Sequence, residues 1–174
     1  MGFCLVGINT SMERRYDERL QTQTVEWMQP FQQHITHACT FTFKQYVGDT
    51  KITPAHAWKY WDNYCKYLNR LIYKHAAKNH GKSLLILPVL HGEMFGERLH
   101  FHAAIGCIDK SISFEKLKAL INFAWRKMRW TLNETEVKPY EDAGWINYML
   151  RQSVRLDLHS VDIERCCIPP ALKS

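Results

Sequence analysis

The chain switches between two hydrophobic periods, and the switch points predict its elements. Period two appears first over residues 36–46, with Cys39, Phe41 and Phe43 facing one way and Thr40, Thr42 and Lys44 the other. A strand is expected there, turning at Gly48-Asp49. From Thr53-Pro54 the period lengthens to three and four, and Trp58, Trp61, Cys65, Leu68 and Ile72 form one apolar stripe. Threonine suits the N-cap, proline the first helical position, and Asn79-His80-Gly81 the C-terminal stop. Residues 83–93 are almost continuously apolar, as in a strand buried on both faces. Pro88 has no N–H to give a ladder, so it marks a bulge or an edge.

Gly92 to Glu97 turns the chain into a second alternating stretch, residues 98–106, so a hairpin is expected. Ser113 caps a helix whose buried face is Phe114, Leu117, Ile121, Ala124 or Trp125 and Met128. Residues 130–140 read as a fourth strand, and Asp142 or Ala143 opens a third, short helix to about Gln152. Ahead of all this, residues 1–12 read as a loose tail, and Tyr16, Leu20, Val25, Trp27 and Met28 predict a short helix or two ended by Pro30. Strand, helix, strand, strand, helix, strand is the order of an α+β, ferredoxin-like split β-α-β core with a central antiparallel sheet and a further C-terminal helix. The expected organisation is an N-terminal extension (1–35), one domain (36–155) and a tail (156–174). Two basic helices would cover one sheet face and leave the other for a site.

The stretch Arg98-Leu99-His100-Phe101-His102-Ala103-Ala104-Ile105-Gly106 carries the candidate chemistry. Leu99, Phe101, Ala103 and Ile105 make an apolar face. His100, His102, Ala104 and Gly106 make the other, two imidazoles followed by almost no bulk, which is expected to leave room for a ligand. Histidines at i and i+2 stand about 6.5–7 Å apart along a strand, close enough to lean onto one divalent ion. Glu93 comes back beside them across the hairpin and would complete a site for a borderline or hard ion such as Mn²⁺ or Mg²⁺. His91 shares the parity of Glu93 and can substitute for it or assist it. On the third helix Tyr148 stands three residues before Arg151, a phenol beside a guanidinium able to grip phosphate oxygens two at a time.

Charge narrows the partner. The formal net charge is +6, concentrated in residues 44–82, with eight Lys/Arg against two acids, and in residues 109–138, with seven against four. Basic charge so placed fits a polyanion, of which nucleic acid is the commonest. Six scattered cysteines without a Cys-x-x-Cys spacing are expected to be free thiols in a reducing compartment. With 46% hydrophobic residues and no long apolar run, no membrane span or signal peptide is expected, and a cytoplasmic location follows.

Three pieces taken in order, Thr40-Phe41-Thr42-Phe43, Gly96-Glu97-Arg98-Leu99-His100-Phe101-His102 and Trp145-Ile146-Asn147-Tyr148-Met149-Leu150-Arg151, resemble the three motifs of the HUH (His-hydrophobe-His) endonucleases. The likeness covers about residues 36–152 and is greatest to the rolling-circle replication initiators of plasmids and phages. It implies that His100 and His102 are paired metal ligands with Glu93, or His91, as the third. It implies that Tyr148 is the nucleophile on a scissile phosphate of single-stranded DNA, leaving a 5′-phosphotyrosine and a free 3′-OH. Arg151 stands where the family usually has lysine, so a fixed phosphate-binding cation survives but a proton donor does not. Lys44, Arg98, Trp145, Gln152 and Arg155 are candidates for DNA contact. The expected partners are single-stranded DNA or an origin hairpin, with a separate host helicase, since the chain has no Gly-rich Gly-x-x-x-x-Gly-Lys-Thr/Ser phosphate loop. The same pieces suit a relaxase or a single-tyrosine transposase. A ferredoxin-like nucleic-acid binding module without catalysis would not need Glu93, His100, His102 and Tyr148 to converge.

Overall fold

The computed structural model describes residues 10–92, 97–109, 112–156 and 161–173, with the side chains of 10–18, 134 and 151–156 left out. Helix α1 (Thr10–Met28) leads through a 3-10 turn (Gln29–His34) into strand β1 (His37–Phe43). A two-stranded ribbon, β2 (Tyr46–Val47) and β3 (Thr50–Lys51), closes around Gly48-Asp49. Helices α2 (Pro54–Tyr73) and α3 (His75–Asn79) follow, then β4 (Leu85–His91), β5 (His100–Gly106), α4 (Phe114–Arg126), β6 (Thr131–Pro139) and α5 (Gly144–Leu156). The protein is α+β, with a four-stranded sheet in the order β4-β5-β1-β6 whose neighbours are all antiparallel.

The caps read from the sequence form. The Thr53 hydroxyl accepts from the His56 amide with Pro54 in the first turn, and the Ser113 hydroxyl accepts from the Lys116 amide. The first helical stretch does not run unbroken to Asn79. It breaks at Lys74, a non-glycine residue at φ 50°, and α3 sets off in a new direction. The N-terminal helix is longer than the weak pattern implied, 19 residues, and the chain continues through Pro30 as a 3-10 turn.

β4 is buried along its whole length because both its faces meet a core. Ile86 and Leu90 point into an aromatic core beneath α2 and α4, built on Phe41, Trp61, Tyr64, Phe101 and Trp125. The Trp61 and Phe101 rings lie 4.4 Å apart and Phe41 and Trp125 4.9 Å apart. Such rings bury about 150–250 Å² each and dominate the stability of this layer. Leu85, Leu87 and Val89 point the other way, into a second core with Met28, Phe31, Ile146, Met149 and Leu150 from α1 and α5.

Pro88 sits on the sheet's edge strand. Ile86 exchanges two 2.9 Å backbone bonds with Cys167 of the C-terminal segment, so its N–H points outward. The nitrogen of Pro88, two residues on, points the same way, where no donor is required. The five cysteines among the described residues are free thiols. No helix among the described residues is long and apolar enough to cross a membrane.

The second sheet face is not left open, as the sequence suggested. α1, α5 and the 3-10 turn cover its apolar end. Ala104 and Gly106 are small for that reason: a Cβ at Gly106 would run into the His34 carbonyl oxygen, so the missing bulk admits backbone rather than a ligand. Among the described residues, the opposite end of this face, at the start of β5 and along the neighbouring β1 and β6, remains accessible.

Candidate metal centre

The strand register assembles the site. His91 lies directly opposite His100, and Val89 opposite His102, in the β4–β5 pair. Across β5 on the other side, Thr42 opposes His100 and Thr40 opposes His102. Opposed residues of an antiparallel pair stand about 4.5–5.5 Å apart at Cβ, and i, i+2 neighbours share a face, so the three histidines converge. Their ring centroids are 5.3 Å (His91–His100), 4.6 Å (His91–His102) and 4.8 Å (His100–His102) apart. One ring nitrogen from each lies within 4.8 Å of the others, and this triad can hold a metal ion. His91 and His102 are buried and His100 is half-buried.

Hydrogen bonds fix which nitrogen each ring can offer. A carbonyl oxygen only accepts, so His91 Nε2–H donates to the Met149 carbonyl at 2.7 Å and His100 Nδ1–H donates to the Arg98 carbonyl at 2.8 Å. In the neutral rings the lone pairs then sit on His91 Nδ1 and His100 Nε2. His102 Nδ1 meets the Thr40 hydroxyl at 3.0 Å, which suits Nδ1–H donating and Nε2 carrying the lone pair. Metal-binding histidines characteristically donate their second N–H to a carbonyl or similar group, and here every one has such a partner. The Arg98 carbonyl reaches His100 because residue 92 is glycine at φ 94°, where a side chain would strike that carbonyl.

Burial, with the neighbouring His91 and His100 adding to it, pushes the His102 pKa down to about 3. Its lone pair is therefore unprotonated at neutral pH, the state a metal requires. The donor set is three neutral imidazole nitrogens, which fits a borderline divalent ion better than a hard one that prefers oxygen.

α5 brings the phenol. Ile146, Met149 and Leu150 anchor it in the second core, and this turns Trp145 and Tyr148 toward the histidines. The Tyr148 ring lies 5.1 Å from His102 and stacks on Trp145 at 5.3 Å and 25°, and Trp145 meets His102 edge-on at 5.4 Å. Tyr148 is half exposed (51%). Beside it, Thr40, Glu136, Lys138, Asp142, Trp145 and Tyr148 line a groove of about 390 Å³ running along β1 and β6. Glu136 and Lys138 form an ion pair of 2.5 Å on its wall.

His100, His102, His91, Trp145 and Tyr148 thus come together as the sequence implied. Lys44 is exposed just beyond the end of β1, and Arg98 is exposed beside His100. Glu93 lies outside the described residues, and the third position of the triad is filled by His91. Arg151, Gln152 and Arg155 belong to α5, but their side chains lie outside the described residues. Sequence reasoning assigned no role to Thr40, which holds His102. Its signal was present, since Thr40 and His102 share a face of adjacent strands. The Met149 carbonyl left no trace in sequence, because any residue supplies one. No protein-family model, curated protein or solved structure matches this chain.

Proposed function

We propose that the protein is a metal-dependent endonuclease and strand transferase of the HUH kind, acting on single-stranded DNA. The observation that carries this reading is an accessible phenol, Tyr148, whose ring lies 5.1 Å from His102 of the histidine triad. A metal site alone would not need the tyrosine, and a binding module would need neither. The strand order β4-β5-β1-β6, with α2 and α4 on one face, supports the ferredoxin-like split β-α-β arrangement of that family.

His91, His100 and His102 would hold the ion, with Mn²⁺ fitting three nitrogen donors better than Mg²⁺. Bound there, it supplies Lewis-acid polarisation of a phosphate oxygen. The chain's own residues do the rest. Tyr148 Oη attacks the scissile phosphorus, forming a phosphotyrosine bond to the 5′ side while the P–O3′ bond breaks. The phenol proton is lost to solvent and the departing 3′ oxygen takes one up, leaving a 3′-OH. Phosphodiester energy is conserved, so the 3′-OH can reverse the step and rejoin strands. Trp145, stacked on Tyr148, limits the ring's rotation and offers a base-stacking face. Arg151, Lys44 and Arg98 supply fixed positive charge for the phosphates.

Initiation of rolling-circle replication is the role implied by the sequence motifs. The third histidine gives specific support to a second role on the same chemistry, mobilisation by a relaxase, in which a third histidine is common.

The test is incubation with Mn²⁺ and labelled single-stranded oligonucleotides tiled across the DNA flanking the gene, followed by a denaturing gel. A covalent adduct is expected for the wild type and none for Tyr148→Phe. His102→Ala should lose cleavage by about a hundredfold, the upper end of the losses seen when the groups that hold a metal site are removed, while oligonucleotide affinity changes little. An adduct that persists in Tyr148→Phe removes this tyrosine from the mechanism. Equal losses of cleavage and binding in His102→Ala would assign the histidines to folding.

A further inference from the structure

On the opposite sheet face from the triad, α2, α3 and the C-terminal segment enclose a second, wider groove of about 1250 Å³. One wall carries Lys66, Arg70, Lys74, Lys78 and Lys82, all exposed. None of the five takes part in an ion pair among the described residues. Residues 66, 70 and 74 recur at helical spacing, so they climb one side of α2 in steps of about 6 Å. The break at Lys74 then sets α3 at a new angle, with Lys78 still on the groove.

Three acids also line the groove, Asp62 on α2 and Asp162 and Glu164 on the C-terminal segment, and Arg165 offsets one of their three charges. Arg165 binds Asp62 at 2.6 Å and Asp162 at 2.7 Å, pinning the C-terminal segment to α2, and its guanidinium lies over Trp58. Of the acids lining the groove only Glu164 lacks such a partner among the described residues. Six basic against three acidic side chains leave the concavity net positive by three, and that field is relieved by a polyanion.

We propose that this groove docks the phosphate backbone of double-stranded DNA, independently of sequence. Its lining contains no Phe, Tyr or Trp side chain, and His75 is the one aromatic ring among the described residues that line it. An unpaired strand needs stacking platforms for its bases, whereas a duplex keeps its bases stacked and presents only phosphates. Choosing DNA among polyanions rests on the nuclease reading, but no residue of the groove belongs to the triad or to the Tyr148 site. The molecule then grips a duplex on one side of its sheet and processes a single strand on the other, as an enzyme working at a junction between the two requires.

The test uses the full chain carrying Tyr148→Phe, so that no cleavage occurs, and a fluorescent duplex of arbitrary sequence whose anisotropy is followed from 50 to 200 mM salt. Adding Lys66→Gln, Arg70→Gln and Lys78→Gln is expected to weaken duplex binding at least tenfold. It should also flatten the plot of log affinity against log salt by about three, near 0.9 per lost phosphate contact. Lys116→Gln, Arg126→Gln and Arg129→Gln remove the same charge from α4 and the turn after it, and should change affinity less than about threefold by the screened field alone. The six positions avoid the core, and thermal melts check that both triple variants fold. Equal weakening by the two triples, or no weakening by the first, overturns the proposal. So does binding of phosphatidylserine vesicles without binding of the duplex. Failure of the nuclease reading would show instead as absence of the Tyr148 adduct, with the duplex result unchanged.

Discussion

A ligand histidine must hold its lone pair, and His102 is kept neutral by burial first and by its two histidine neighbours second. Around it stand Thr40 from β1, His91 from β4, His100 from its own strand, and Tyr148 and Trp145 from α5. This has a consequence for stability without metal. The folded pKa, about 3, lies below the ordinary value of 6.5, so between those values the unfolded chain binds more protons than the native one. Stability contributed by this group is complete above pH 6.5 and falls as pH drops through the window, by up to about 1.4 kcal/mol per unit. His37, whose pKa burial also lowers, acts in the same direction. In chelator, urea midpoints measured from pH 7.5 to 5 are expected to fall, and to fall less steeply in His102→Gln, which keeps only the His37 share. Parallel slopes for the two proteins would show that His102 is not held neutral.

At the scale of elements, the small residues of β5 decide where the site can be. Gly106 admits the backbone of the 3-10 turn, and Ala104 is fully buried under the second core, so only the histidine end of the strand stays open. Gly106→Ala should therefore cost about 3 kcal/mol, the upper end of overpacking penalties, because a carbonyl cannot rotate away as a side chain can. A urea melt reads this, and a loss below about 1 kcal/mol would mean the turn is free to move. The same strand shows why part of the molecule was legible in sequence. Alternation alone placed Phe41 and Phe101 in one core and His102 on the opposite face, since a strand's parity is strict. What Ala104 and Gly106 face was misread, because a small residue looks identical whether it makes room for a ligand or for backbone. The third ligand was open between Glu93 and His91, which share a parity. Parity cannot distinguish them; the register sets His91 against His100, while Glu93 lies outside the described residues. The sequence expectation of a short helix to about Gln152 covers α5, but the bond from its Met149 carbonyl to His91 depends on tertiary packing alone.

For the molecule as a whole, the triad is a junction. Its rings come from β4 and β5, and their outward bonds run to β1 through Thr40, to α5 through Met149 and to the approach of β5 through Arg98. An ion held by the three lone pairs would tie these elements together, and would bind the native state alone because the unfolded chain has no such cluster. Mass action then stabilises the fold by about 2.7 kcal/mol at a hundred times the dissociation constant, which for a chain of this size is a rise in Tm of about 5–10 °C. Mn²⁺ and, more strongly, Co²⁺ are expected to give this shift, following the order of affinity for nitrogen ligands, and Mg²⁺ at equal concentration to give little. Because His91 is buried and bonded to α5, replacing it lowers the metal-free Tm too, so the quantity to compare is the metal-induced rise. His91→Gln should remove most of that rise and Glu93→Gln should leave most of it. The reverse pattern would return the third position to the carboxylate. A rise with Mg²⁺ equal to that with Mn²⁺ would require oxygen ligands that three imidazoles do not supply.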